Sequence, residues 1–175
     1  MKKLILALPL LVVIMSPTYA QSNEGFYKKN TVKLMYKDAT IASARNYRTD
    51  ELDTLYAYSD RELQNAVALT KSDAMNPYQE GGNDISPCSA TRETLNLSTS
   101  NGVGLDEMAG INYTLLSNGR VRVSMMLTDD YDINSPDFTD FRDFSLICDG
   151  EACNIIDIYD SYGESGKTAA DKYCR

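Results

Sequence analysis

The chain has 175 residues, with 17 Lys and Arg against 25 Asp and Glu, no histidine and no tryptophan, and its net charge at pH 7 is −8. The lack of histidine excludes Ser-His-Asp and Cys-His catalytic groups and imidazole zinc sites, and the negative charge excludes binding to nucleic acid or an anionic membrane through bulk electrostatics. The length suits one domain with a substantial hydrophobic core.

The first twenty residues have the pattern of a secretory signal peptide. Two lysines precede an apolar run from Leu4 to Met15, and Ala20 is a small residue directly before the expected cut. The apolar run is shorter than the ~18 residues that a membrane span requires, so we expect no stable membrane anchor. Cleavage removes two lysines and no acid, which leaves 15 basic against 25 acidic residues and a net charge of −10. We therefore predict a signal peptide over residues 1–20 and one periplasmic domain over residues 21–175.

The first half of that domain is predicted to be helical. Apolar residues recur at spacings near three or four and seven from Glu24 to about Tyr47, which indicates a long amphipathic helix. A short helix is expected from near Asp50. A third helix occupies residues 59–75, with a capping box formed by Ser59 and Glu62 at its start.

Beyond a loop, the pattern changes from helical to alternating. "TLNLST", residues 94–99, is expected to be a short strand. Residues 108–128 predict a hairpin that turns at Asn118-Gly119, and "FRDFSLIC" with "CNIIDIYD" predicts a second hairpin. "GESGKTAADKYC" predicts a short terminal helix. The predicted fold class is α+β, with N-terminal helices packed on a curved antiparallel sheet of two hairpins and a short C-terminal helix.

All four cysteines follow the predicted signal peptide, and an even number in an oxidising compartment argues for two disulfides. Cys148 and Cys153 flank the turn-rich "DGEA", so they should face each other across the second hairpin. That pairing leaves Cys88 with Cys174. Both bonds are interpreted as structural, because a redox pair favours a Cys-x-x-Cys motif in a cationic setting.

Three phrases of the chain, "GFYKKN", "YRTDELDTL" and "FSLICDGEACNIIDIYDSYGESGKTAADKYC", resemble a family of small exported bacterial proteins of unknown function. The resemblance covers most of residues 24–174, and its most telling part runs from Asn154 to Ser165. It implies a nuclear-transport-factor-like, cystatin-like cone, in which a curved sheet wraps the long helix. The chain departs from relatives at Cys153-Asn154, where they often carry an aromatic residue before a lysine. The family supplies no catalytic residues.

The most acidic stretch, "LTDDYDINSPDFTDFRD" at residues 127–143, holds six aspartates and one arginine. Asp130, Asp132 and Asn134 match the start of a helix-loop-helix calcium site. Ser135 then stands where glycine is required, and Phe141 where a bidentate glutamate is required, so that site is refuted. A looser oxygen site remains as an alternative.

Two further interpretations of this stretch stay open. It can be a solvated loop between the hairpins, in which Asp140 and its neighbours only add solubility. It can also be an interface, since Tyr131 and Phe138 are embedded among acids that suit docking onto a basic protein.

Alternation in the last strand places Ile156 and Ile158 on one face, and Ile155, Asp157 and Tyr159 on the other. Asp157 would then lie among apolar groups, where a carboxylate must be hydrogen-bonded or have its pKa raised. It is expected either to bond a loop amide or the terminal helix, or to line a pocket mouth. The pocket mouth would consist of two tyrosines and two aspartates: Tyr159, Tyr162, Asp157 and Asp160.

Three functions follow as hypotheses: a periplasmic inhibitor or immunity protein for a cationic secreted or cell-wall-acting protein, a small-ligand binder that uses the cone cavity, and a hydrolase with two carboxylates. The first is preferred, with a basic protein as partner, and the chain is predicted not to be an enzyme. No catalytic residue, cofactor or metal ligand is predicted. The candidate binding residues are Asp130, Tyr131, Asp132, Phe138, Asp157 and Tyr159.

Overall fold

In the computed structural model, the described residues are 18–45, 51–74, 87–98, 105, 110–126 and 139–174. The helices are α1 (Thr18–Arg45), α2 (Glu51–Tyr58), α3 (Arg61–Ala74), α4 (Pro87–Leu95) and α5 (Gly166–Tyr173). The strands are β1 (Gly110–Leu115), β2 (Val121–Met126), β3 (Thr139–Asp149) and β4 (Ala152–Tyr159). The predicted α+β class is confirmed. Residues 1–17 of the predicted signal peptide lie outside the described residues, in which no helix is long and apolar enough to cross a membrane.

The strands form one antiparallel sheet in the order β1-β2-β3-β4, which confirms the two predicted hairpins. The first hairpin turns where predicted. Leu116 N–H donates to Arg120 O at 2.8 Å, Gly119 N–H donates to Leu116 O at 3.0 Å, and Gly119 has a φ of +80°. A left-handed residue at this position suits glycine because it has no Cβ to clash. The second hairpin turns at Gly150-Glu151, directly beside the Asp149↔Ala152 pair.

Both predicted disulfides are confirmed. Cys148 and Cys153 are cross-strand partners in β3 and β4, with their Cα atoms 4.0 Å apart. Cys88 at the start of α4 is bonded to Cys174 at the end of α5, with a Cα separation of 4.7 Å. The second bond therefore ties the end of the chain to its middle.

The prediction for the faces of β4 is wrong, because the strand contains an irregularity. Ser145 pairs with Asp157 while Leu146 pairs with Ile155, so Ile156 is an extra residue between two consecutive pairs. An extra residue shifts the alternation of every side chain beyond it. Ile155 and Ile158 consequently share the core face, and both are fully buried.

The space between α1 and the sheet is filled by side chains. The ring of Tyr36, from α1, packs edge-to-face against Tyr113 and Phe144, with both centroid distances 5.9 Å. Its hydroxyl donates to Leu97 O at 2.9 Å, which satisfies the buried polar group. Burial raises the pKa of Tyr36 well above its ordinary value. The buried core around these residues also includes Val32, Met35, Leu52, Leu55, Leu63, Val67, Leu95, Val121, Val123, Met125, Ile155 and Ile158.

The predicted strand at residues 94–99 is wrong, because Thr94 and Leu95 end helix α4. Pro87 is the first residue of that helix, a position where its missing N–H costs no hydrogen bond. The buried Thr91 and Leu95 lie one turn apart, so the apolar contacts follow a helical period. Packing against α3 and α5 overrides the strand that the alternation of residues 94–99 predicts.

The predicted capping box of α3 is also wrong. Leu63 N–H donates to Asp60 Oδ1 at 2.9 Å, so Asp60 caps the helix. Ser59 Oγ donates instead to Leu55 O at 2.6 Å. Its backbone forms a bridge to Ile155, and Asp60 N–H donates to Ile155 O at 2.8 Å. The segment before α3 therefore covers the outer edge of β4.

Candidate functional site

Four of the predicted binding residues, Asp130, Tyr131, Asp132 and Phe138, lie outside the described residues. Two other aspartates of the acidic stretch are described, and each is paired with an arginine. Asp140 is buried against Arg142, with 3.3 Å between Oδ2 and the guanidinium. Asp143 receives two hydrogen bonds from Arg122, at 2.7 and 2.9 Å. The interpretation of Asp140 as a solvated residue is therefore wrong, since the sheet places it beside an arginine in the core.

Asp157 lies on the outer face of the sheet, away from the core, and is only 7% exposed. Its carboxylate accepts hydrogen bonds from Ser165 Oγ at 2.7 Å, Ile158 N–H at 2.9 Å and Lys167 N–H at 3.2 Å. Two of these donors belong to the start of α5. The contacts match the expected bonding to the terminal helix, and they leave the carboxylate occupied as a helix cap.

Tyr159 lies on the same outer face, and the guanidinium group of Arg120 stacks on its ring. The Arg120 guanidinium carbon is 3.5 Å from the centroid of its ring, and Arg122 stacks in the same way on Phe141 at 3.8 Å. Burial, with a smaller effect of Asp157, raises the pKa of the Tyr159 phenol. Asp157 and Tyr159 are thus neighbours, but neither faces the side-chain-filled space under α1.

A groove between α4 and the loop that joins β4 to α5 brings other functional side chains together. One cavity of about 280 Å³ and an adjoining one of about 170 Å³ share Ala90, Thr94 and Glu164. We call this feature the acidic groove. The remaining lining residues are Thr91, Ala169 and Tyr173 in the larger cavity, and Glu93, Arg142, Asp160, Ser161 and Tyr162 in the smaller one.

The loop on one side of the acidic groove is held in a defined turn. Asp160 Oδ1 accepts from Tyr162 N–H at 3.0 Å and from Glu164 N–H at 2.9 Å. Gly163 N–H donates to Asp160 O at 3.0 Å, and Gly163 adopts a φ of +83°. The pairing of Tyr159 with Ser165 closes the base of this loop. Tyr162 is 96% exposed at its tip, so a large aromatic side chain is displayed on a preorganised turn.

The electrostatic character of the groove is negative. Within the described part of the chain, Glu93, Asp160 and Glu164 have no ion-pair partner. Lys172 lies near this rim: its hydrogen bond to Tyr173, and to a lesser degree the charge of Glu164, raises the pKa of its ammonium group. The three carboxylates therefore outnumber the nearby unpaired cation.

Arg142 forms the floor of the smaller cavity and is only 2% exposed. Beyond its ion pair with Asp140, it donates to Asn96 O and Ser98 O, both at 3.3 Å. These carbonyls follow the end of α4, where helical backbone groups lack internal partners. The arginine therefore anchors α4 to the sheet and fixes one side of the groove. It does not cancel the rim acids, because its own charge is matched by Asp140.

Sequence reasoning missed Glu93 because its neighbours were expected to form a strand. The signal that could have found it is Pro87, which is typical of the first turn of a helix. Asp160 and Tyr162 were expected at a pocket mouth with Asp157 and Tyr159. The structure groups Asp160 and Tyr162 with α4, since the chain turns away from the sheet after Tyr159.

The fold and groove define a disulfide-bonded α+β domain with an acidic, tyrosine-bearing surface, and two structural disulfides are typical of a non-cytoplasmic protein. Among the described residues, no group of three or more acidic or cysteine side chains could hold a metal ion. The chain matches no protein-family profile, no curated protein and no solved structure.

Proposed function

We propose that this chain is a non-enzymatic exported protein that captures a basic protein partner, as an inhibitor or immunity protein for a cationic secreted or cell-wall-acting protein. The observation that carries the proposal is the acidic groove. Glu93, Asp160 and Glu164, which have no ion-pair partner among the described residues, line the same cavity as Tyr162, which is 96% exposed on a hydrogen-bonded turn. Tyrosine is enriched among residues that dominate binding energy, and complementary charge accelerates encounter with the partner.

The charged lining of the groove favours a protein partner over a small ligand. Pockets for small ligands are lined predominantly by apolar side chains, whereas the smaller cavity is lined by Glu93, Arg142, Asp160 and Glu164. The space under α1, where a cone-fold ligand would lie, is occupied by Tyr36, Tyr113 and Phe144. Side chains of a partner protein fit shallow cavities that share a rim.

Export to the periplasm through the signal peptide at residues 1–20 is part of the same proposal, and the two disulfides support it. We also propose membership of the family of small exported bacterial proteins that the C-terminal phrase resembles. The packing of α1 against an antiparallel sheet supports that assignment.

The test begins with the mature 21–175 protein as bait for periplasmic and secreted proteins at low ionic strength, followed by purification of any retained basic protein. The double variant Glu93→Gln/Glu164→Gln removes two groove charges and keeps the backbone N–H of Glu164 that donates to Asp160. It should raise Kd about tenfold, mainly through slower association, and Tyr162→Ala should accelerate dissociation. Added salt should weaken binding of the wild-type protein.

A matched control removes two carboxylates at the opposite end of β4: Asp149→Asn/Glu151→Gln changes the net charge equally but leaves the groove intact. Its Kd should stay within about threefold of wild type. Equal losses in the groove and control variants would show that only bulk charge matters. Retention of no basic protein at low salt would contradict the proposed function.

A further inference from the structure

The two edge strands of the sheet, β4 and β1, differ in whether another segment covers their outer edge. The edge of β4 is covered by the Ser59 bridge to Ile155, and Tyr159 pairs with Ser165. The outer edge of β1 pairs with no strand in the described ranges. β1 has the sequence GINYTL, without charge or proline, and its pairing with β2 has no register shift. Proteins usually protect open edges with charges, prolines or bulges, so β1 has the features of a strand that pairs with another chain.

The hairpin register shows which backbone groups of β1 face the open edge. Leu116 N–H donates to Arg120 O and Leu116 O accepts from Gly119 N–H, so both backbone groups of Leu116 point towards the turn and β2. Antiparallel pairs alternate between bonded and non-bonded. The N–H and C=O groups of Leu115, Tyr113 and Ile111 therefore point away from β2. Those of Thr114 and Asn112 point towards it.

We propose that β1 pairs antiparallel with β1 of a second copy of this chain, across a two-fold axis at Tyr113, to form a continuous eight-stranded sheet. With this axis, Ile111 faces Leu115 of the second copy and Asn112 faces its Thr114. All three outward-facing residues of each strand then form backbone hydrogen bonds. A two-fold axis at any other residue of β1 leaves at least one of them without a partner.

The side chains of β1 are self-complementary in this register. Leu115 is 42% exposed, and an aliphatic Ile111 from the second copy covers it. Leu115 packs over Gly25, and the adjacent Phe26 is 62% exposed, so an apolar strip continues from β1 onto α1. On the other face, Asn112 and Thr114 are exposed polar residues that can hydrogen-bond as cross-strand pairs.

Charge sets the expected salt dependence of this dimer. Two copies of residues 21–175, each with 15 basic and 25 acidic residues, repel one another, although β1 itself is uncharged. Lys33 lies over the strand, with its Nζ 5.6 Å from the Tyr113 ring centroid. Salt screens the long-range repulsion and does not weaken apolar contacts, so the dimer should strengthen as salt is raised. Capture of a basic partner has the opposite salt dependence, which separates this inference from the proposed function.

The test is sedimentation of the mature protein over a concentration series, with a charge-swap series in β1. Asn112→Lys/Thr114→Lys places like charges opposite each other twice across the axis and should raise the dimer Kd about tenfold. Asn112→Lys/Thr114→Glu places opposite charges there and should return Kd to within about threefold of wild type. Asn154→Lys, on an exposed position of the covered strand β4, is the control and should leave dimerisation unchanged.

Amide hydrogen exchange on the wild-type protein gives a readout that does not depend on the variants folding. The amides of Ile111, Tyr113 and Leu115 should become protected as concentration rises, while those of Asn112 and Thr114 stay equally protected at all concentrations. A monomer throughout the concentration range would overturn the inference. So would a dimer with unprotected Tyr113, or one in which the two β1 double variants behave alike.

Discussion

Ser165 Oγ donates a hydrogen bond to Asp157 Oδ2 at 2.7 Å, and this contact joins the end of β4 to the residue that caps α5. Ser165 Oγ in turn accepts from Thr168 N–H at 3.0 Å, while Asp157 accepts from Lys167 N–H. Two side chains therefore hold the start of α5: Ser165, which caps the helix, and Asp157, which lies in β4. A carboxylate that sequence reasoning considered for ligand binding therefore has a structural role.

Replacement of Asp157 should destabilise the fold. Asp157→Asn removes the negative charge that strengthens these hydrogen bonds. It also replaces one acceptor oxygen with an NH₂ donor, which cannot accept from Ser165 or Lys167. We therefore expect a loss of about 1–3 kcal/mol in the free energy of unfolding. Urea denaturation measures it. The exposed Asp149→Asn is the control and should change stability by less than about 0.5 kcal/mol. Equal stability of the two variants would contradict the capping role.

The two disulfides should contribute unequally. Cys88–Cys174 closes a separation of 86 residues, and Cys148–Cys153 closes a separation of 5. In the chain-entropy description, their removal costs about 4.6 and about 2 kcal/mol, since a longer loop restrains the unfolded chain more. Denaturant midpoints of Cys88→Ala/Cys174→Ala and Cys148→Ala/Cys153→Ala measure the difference. A larger loss from the hairpin pair would show that local native contacts outweigh loop entropy.

Two glycines that contact leucine side chains should respond differently to alanine. A Cβ at Gly166 would lie 2.5 Å from Leu95 Cδ2 and 3.0 Å from Ile158 Cγ2, and both neighbours are fully buried. Gly166→Ala should cost about 1–3 kcal/mol, because the tightly packed core cannot make room. The three atoms nearest to a Cβ at Gly25 all belong to Leu115, whose side chain is partly exposed and can rotate away.

Gly25→Ala is therefore the matched comparison for Gly166→Ala. Alanine favours the interior of α1 by roughly 0.5–1 kcal/mol over glycine, which offsets the cost of moving Leu115. We expect thermal unfolding within a few degrees of wild type. A Gly25→Ala protein as unstable as Gly166→Ala would mean that Leu115 has no alternative position.

Alkaline pH should destabilise the protein, because two tyrosines hold their protons more tightly in the folded state than in the unfolded chain. Burial raises the pKa of Tyr113 to about 12, and burial with the hydrogen bond to Asp38 raises that of Tyr58 to about 12. In the unfolded chain a tyrosine loses its proton near pH 10. Between about pH 10 and 12 the folded state therefore holds more protons than the unfolded state, and stability falls as pH rises.

Unfolding free energies at pH 9, 10 and 11 measure this slope, and Tyr58→Phe or Tyr113→Phe should each make it shallower. The stability that these phenols contribute is fully present below pH 10. A slope unchanged in both variants would show that their protons are not held more tightly in the folded state.

The local pattern of the sequence was sufficient for the class of fold, the two hairpins and the Cys148–Cys153 disulfide. Val121, Val123 and Met125 alternate as a half-buried strand must, and all three are buried. The turn at Gly150 predicted that Cys148 and Cys153 face each other across the hairpin, and the structure confirms their bond. These features depend on residues close together in sequence, where spacing and turn chemistry determine the contacts.

Only the tertiary structure decided features that depend on contacts between distant segments. Thr94 and Leu95 are helical because α4 packs against α3 and α5, although the alternation of residues 94–99 predicts a strand. The irregularity at Ile156 moved Ile155 into the core and could not be read from alternation alone. The acidic groove joins Glu93 to Asp160, 67 positions apart in the printed sequence, which are brought together by packing and by the Cys88–Cys174 bond. Local patterns determined which segments form helices and strands, and long-range packing determined which side chains meet at the surface.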